Sequence, residues 1–117
     1  LQSAKYIYHA GLDWKQFDFE KGFDALMLIG DPEYIFYAGT HWTVFNYMVA
    51  TDKLIFIGNC EYIYKAGYQW KWFDYYKGWK IMESKIVEGR LWRGKALQTD
   101  VWKNALKTIW GKAIANK

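Results

Sequence analysis

The sequence predicts a mainly β fold: an antiparallel meander of three 28-residue units, about nine short strands, followed by one C-terminal amphipathic α-helix. Three observations predict it. A gapless threefold repeat covers residues 5–88, aromatic residues make up 21% of the chain, and the hydrophobic period changes after Gly94. With 117 residues the chain makes one domain. Residues 5–32, 33–60 and 61–88 form the repeats, and 89–117 a basic tail.

The units begin KYIYHAGLDWKQFDF, EYIFYAGTHWTVFNY and EYIYKAGYQWKWFDY. Six positions are identical in all three: Tyr6/Tyr34/Tyr62, Ile7/Ile35/Ile63, Ala10/Ala38/Ala66, Gly11/Gly39/Gly67, Trp14/Trp42/Trp70 and Phe17/Phe45/Phe73. Asp18/Asn46/Asp74 is a near-isosteric seventh. Within a unit, the β-branched and aromatic run from Tyr6 to Ala10 reads as a strand that Gly11 ends. A second strand starts at Trp14, where Phe17 and Phe19 alternate with Gln16 and Asp18. Lys21-Gly22, Thr51-Asp52 and Lys77-Gly78 read as turns. The apolar runs 25–29 and 54–57 make the third strand. Gly30-Asp31-Pro32-Glu33 and Gly58-Asn59-Cys60-Glu61 then suit tight hairpins into the next unit. The third copy departs after Gly78.

Thr99-Asp100 can cap a helix over residues 99–115. Val101, Trp102, Ala105, Leu106, Ile109, Trp110, Ala113 and Ile114 fall on one stripe, with lysines opposite. Residues 1–88 hold 9 cations against 11 carboxylates, and residues 89–117 hold 7 against Asp100 alone, so the net charge of +4 is a property of the tail. Such a helix suits covering one face of the sheet, or lying on an anionic membrane surface.

Composition removes several classes. A hydrophobic fraction of 52% with one proline excludes disorder, and no apolar run reaches the ~18–20 residues of a membrane span. Lone Cys60 excludes a disulfide framework or a multi-Cys zinc site. A start at Leu1 reads as a processed product or a fragment. His9, Asp13 and His41 could meet as a metal or acid–base group, but the histidines occupy non-equivalent positions, and Cys60 has no visible base. Asn46 at the second copy of an acidic position rules out three equivalent catalytic carboxylates. No enzyme, cofactor or metal is expected.

Binding remains. Sugar rings stack on aromatic faces while their hydroxyls need polar partners. Trp14, Trp42 and Trp70, with Tyr6, Tyr34 and Tyr62 and the polar Asp18, Asn46 and Asp74, supply both three times, which suits avid binding of a glycan or cell-wall polymer. Residues 70–78, WKWFDYYKG, resemble the aromatic–glycine repeats of bacterial choline-binding and glucan-binding modules, although this unit is longer and lacks their consensus afterwards. That likeness implies polymer binding at an extracellular or cell-surface location. The alternatives are a protein partner, including self-assembly or inhibition of another protein, and a small barrel around an apolar ligand. Nucleic acid is not expected, because the aromatic units are slightly acidic. Unprotected edge strands would make the chain a homo-oligomer.

Overall fold

The computed structural model describes residues 3–115, with side chains as far as residue 109. It overturns the β-meander. Among the described residues there are eight helices and no strand, and the chain is 77% helical. The helices are α1 (Ala4–Asp13), α2 (Phe19–Ile29), α3 (Pro32–His41), α4 (Tyr47–Ile57), α5 (Cys60–Gln69), α6 (Tyr75–Ser84), α7 (Glu88–Leu97) and α8 (Asp100–Ala115). Each 28-residue unit is a helix pair rather than three strands.

The physical reason lies in spacing. Ile7, Ala10, Gly11 and Trp14 stand at i, i+3, i+4 and i+7, one stripe of a 3.6-residue helix. Aromatic and β-branched residues lower helix propensity by only a few tenths of a kcal/mol each, and packing overrides that. The supposed hairpins are helix stops and starts. Gly30 and Gly58 close α2 and α4 at φ 74° and 77°, the left-handed conformation that favours glycine. Asp31, followed by Pro32 at the first helical position, opens α3, and Asn59 opens α5. The expected turns at Gly22, Thr51 and Gly78 lie inside helices. The C-terminal helix forms as expected. In it Trp102 and Leu106 are buried while Val101 and Ile109 are exposed; the side chains of Trp110, Ala113 and Ile114 lie outside the described residues.

Pairs stack in chain order into a body of 51 × 26 × 19 Å. α1, α3, α5 and α7 pack successively on one another, and each second helix returns against its own first helix. One interaction recurs at every junction. The Trp42 indole Nε1–H donates to the Tyr8 carbonyl at 3.0 Å, Trp70 to Phe36 at 3.1 Å and Trp102 to Tyr64 at 2.9 Å. Under each indole lies a helical glycine. A Cβ on Gly11, Gly39 or Gly67 would stand 2.3–2.4 Å from the ring atoms of Trp42, Trp70 or Trp102. These glycines therefore serve close approach inside a helix, not a turn. Phenylalanines wall the same indoles: Phe17 and Phe19 around Trp42, Phe45 with Tyr47 around Trp70, and Phe73 with Tyr75 around Trp102.

The fourth pair keeps the register, α7 beginning 28 residues after α5, but its junction tryptophan lies on α8. Ile86 stands where Gly30 and Gly58 stand, α6 ends at Lys85 without a left-handed cap, and Trp102 follows Trp70 by 32 residues instead of 28. Its indole still reaches the carbonyl of the unit before.

Gly39→Ala should destabilise the fold by about 1–3 kcal/mol through overpacking, although alanine is the better helix former by about 1 kcal/mol. Urea unfolding followed by circular dichroism measures it; an unchanged or raised midpoint would show that the indole has room to move.

Candidate interaction surface

The residues predicted to bind a ligand separate into three groups. Trp42 and Trp70 are 5% exposed and belong to the core, whereas Trp14, with no unit ahead of it in the structure, is 67% exposed. The three tryptophans therefore do not form a repeated open site. Each also ends a first helix, its backbone N–H donating to Ala10, Ala38 or Ala66 at 2.8–2.9 Å.

Asp18, Asn46 and Asp74 are N-caps. Their Oδ1 atoms accept from the backbone N–H of Lys21, Val49 and Lys77 at 3.1, 3.1 and 3.0 Å. Capping asks only for a short side chain with an acceptor oxygen, which accounts for the Asp/Asn interchange. Of the repeated tyrosines, Tyr6 is exposed, and Tyr34 and Tyr62 are half-buried on the row of first helices.

That row carries an aromatic surface, half-buried Tyr34, Tyr37, Tyr62, Tyr64 and Trp92 with exposed Tyr68, over the buried rings of Tyr8 and Phe36, and much of it falls at positions that are not identical between units. On α1, Tyr8 meets the rings of Tyr34, Tyr37 and His41 at 5.7–6.0 Å, and its hydroxyl pairs with His41 Nδ1 at 2.8 Å. Phe36 on α3 continues to Tyr62 on α5 at 5.9 Å, and Tyr64 continues to Tyr68 and to Trp92 on α7 at 6.3 and 5.5 Å. The Tyr37 hydroxyl donates to Glu33 at 3.2 Å. Lys65 pairs with Glu61 at 2.8 Å and stands 5.2 Å from the Tyr62 ring, while Lys95 stands 4.6 Å from Trp92. Burial first, and then the carboxylates of Glu33 and Glu61, push the Tyr62 phenol up to about 12. Burial, followed by Glu33, raises Tyr37, and burial raises Tyr8.

Among the described residues the candidate catalytic groups of the sequence do not come together beside this surface. His9 touches Tyr8 as a ring neighbour, His41 is taken by the Tyr8 hydroxyl, and Asp13 lines a 530 Å³ cleft beside Trp14. Among the described residues no group of three His, Cys, Asp or Glu is arranged to hold a metal. Cys60 is wholly buried at the start of α5, and burial pushes its thiol up, away from nucleophilic chemistry. Among the described residues no helix is long and apolar enough to cross a membrane. The chain matches no family model, no curated protein and no solved structure.

Replacing Asp18, Asn46 or Asp74 with Ala should lower stability by about 1 kcal/mol each, as loss of a cap does. Thermal unfolding of the three single variants checks this, and a variant as stable as the parent would return that residue to the list of candidate ligand contacts.

A second expectation concerns pH. Because the fold favours the neutral Tyr62 phenol over its ordinary value of 10.0, its contribution to stability is complete below pH 10 and is lost as pH climbs toward 12. Glu33→Gln should move the Tyr62 titration down toward 10, read from the ring ¹³C shift of labelled tyrosine. A titration unmoved by that change would mean Glu33 does not act on Tyr62.

Proposed function

We propose that the chain is a non-enzymatic protein-binding scaffold whose row of first helices takes an extended segment of a partner protein. The carrying observation is the row of part-exposed rings Tyr34, Tyr37, Tyr62, Tyr64 and Trp92 on α3, α5 and α7, seated against the buried rings of Tyr8 and Phe36. Stacked repeats build long surfaces of this kind because equivalent faces line up from unit to unit. Tyrosine and tryptophan supply large contact area with little side-chain entropy to lose, and their hydroxyl and N–H groups supply hydrogen bonds. Glu33, Glu61, Lys65 and Lys95 place both charge signs along the row, which suits a polypeptide better than a neutral sugar chain. Burial of Trp42 and Trp70 also removes two of the three flat faces on which glycan stacking would rest.

The test is a peptide-display selection on the intact chain, followed by binding measurements on a Tyr34→Ala/Tyr68→Ala variant whose helicity has been verified. Selected peptides should lose about tenfold or more in affinity, as for removal of interface hot spots. Peptides that bind the variant equally well, together with retention of the protein on insoluble polysaccharides, would overturn the proposal in favour of a glycan ligand.

A further inference from the structure

The two ends of the stack carry complementary halves of the junction that holds the units together. At one end, α1 exposes Tyr6, Leu12 and Trp14. The Trp14 indole keeps the ring neighbour of its own unit, Phe17 at 6.2 Å, as Trp42 keeps Phe45 and Trp70 keeps Phe73. Among the described residues nothing supplies the other side: the helical glycine, the carbonyl and the aromatic walls that a preceding unit gives to Trp42, Trp70 and Trp102. The 530 Å³ cleft beside it is lined by Ile7, Ala10, Phe17 and Gly22, at the face where a preceding pair would stack.

At the opposite end, the outward face of α7 carries Val87, Leu91, Gly94 and Leu97, all exposed, on the side away from buried Gly89 and Ala96. Gly94 is a helical glycine with nothing within 4 Å of where a Cβ would stand, whereas the spaces over Gly11, Gly39 and Gly67 are each filled by an indole. Leu91, three residues before it, occupies the place that Tyr8, Phe36 and Tyr64 hold relative to those glycines, the residues whose carbonyls accept the indole N–H. Charge agrees with shape. Residues 4–31 carry five carboxylates and three lysines, and residues 85–109 carry six cations and two carboxylates.

We infer that the occupant of each end is a second copy of this chain, joined head to tail, with Trp14 of one copy seated over Gly94 of the next. The contact continues the internal junction across molecules. It is heterologous, so it propagates to filaments or closes to rings rather than stopping at a symmetric dimer. It uses surfaces apart from the tyrosine row, so the two proposals stand or fall separately.

Sedimentation velocity on the intact chain tests it. Average mass should rise with protein concentration between about 10 µM and 1 mM and fall when salt is raised to about 0.5 M. Trp14→Ala and Gly94→Arg both alter exposed positions, so circular dichroism should show them folded. Each should be monomeric alone, because each keeps one competent end. Mixed one to one, they should form a dimer and nothing larger, with Trp14 from the Gly94→Arg chain seated on Gly94 of the Trp14→Ala chain. A wild type that stays monomeric at 1 mM, single variants that assemble like the parent, or a mixture that stays monomeric while the wild type assembles would each overturn the inference.

Discussion

An indole N–H reaching back to a helix carbonyl of the preceding unit, over a glycine that lets the ring approach, is the interaction on which the stack depends. A buried tryptophan removes roughly 150–250 Å² from water. Its N–H must find an acceptor, or leave a polar group unsatisfied at about 1–3 kcal/mol. Tyr8, Phe36 and Tyr64 supply that acceptor without leaving the helical ladder, since a carbonyl has two lone pairs. The glycine, the phenylalanine three residues past Trp14, Trp42 and Trp70, and the fixed unit length follow from the same requirement. Where the length changes, in the last unit, α7 still begins 28 residues after α5, and the indole is delivered four residues late, from the first turn of α8 instead of the end of a first helix.

Local features make each pair before stacking joins it to the next. Side-chain caps on Ser3, Asp18, Asp31, Asn46, Asn59 and Asp74 start the first six helices, and the two left-handed glycines end α2 and α4. Helices of 10 or 11 residues are marginal by themselves, so the caps define boundaries while the interlocked aromatic rings supply stability. Tyr47 and Tyr75 add a tie inside their own pairs, donating to the carbonyls of Gly39 and Gly67 at 2.8 and 2.5 Å, where Phe19 in the first pair has no hydroxyl.

Unit length, unit boundaries and the final helix were legible in the sequence; the kind of unit was not. Composition pointed to strands, and the short alternation Gln16-Phe17-Asp18-Phe19 seemed to agree. That alternation is real, but its cause is a loop and cap in which Phe17 and Phe19 both grip Trp42 while Asp18 turns to the α2 backbone. The stronger signal was the spacing Ile7, Ala10, Gly11, Trp14, which only a helix places on one side. For the site, repetition misled in a specific way. A residue repeated because neighbouring units stack looks the same as one repeated because it binds, and Trp42 and Trp70 are the first kind. Tyr8, Tyr37 and Trp92 carry no such mark, because their positions are not identical in every unit: Phe36 stands between Tyr8 and Tyr64, and His9 and Lys65 flank Tyr37, whereas Tyr34 and Tyr62 recur.

Because the indoles of Trp42, Trp70 and Trp102 all reach backward, the junctions have a direction in time as well as in space. As the chain leaves the ribosome α1 and α2 emerge before Trp42 does, so the first pair is at first exposed with Gly11 uncovered and the Tyr8 carbonyl without its indole donor. Each later pair, on emerging, closes the one ahead of it and is itself left open. At synthesis rates of about 5–20 residues per second, the growing chain carries one unlatched pair for a second or more at each step. Translation thereby acts as the thread on which the stack is locked, one pair behind the newest to emerge.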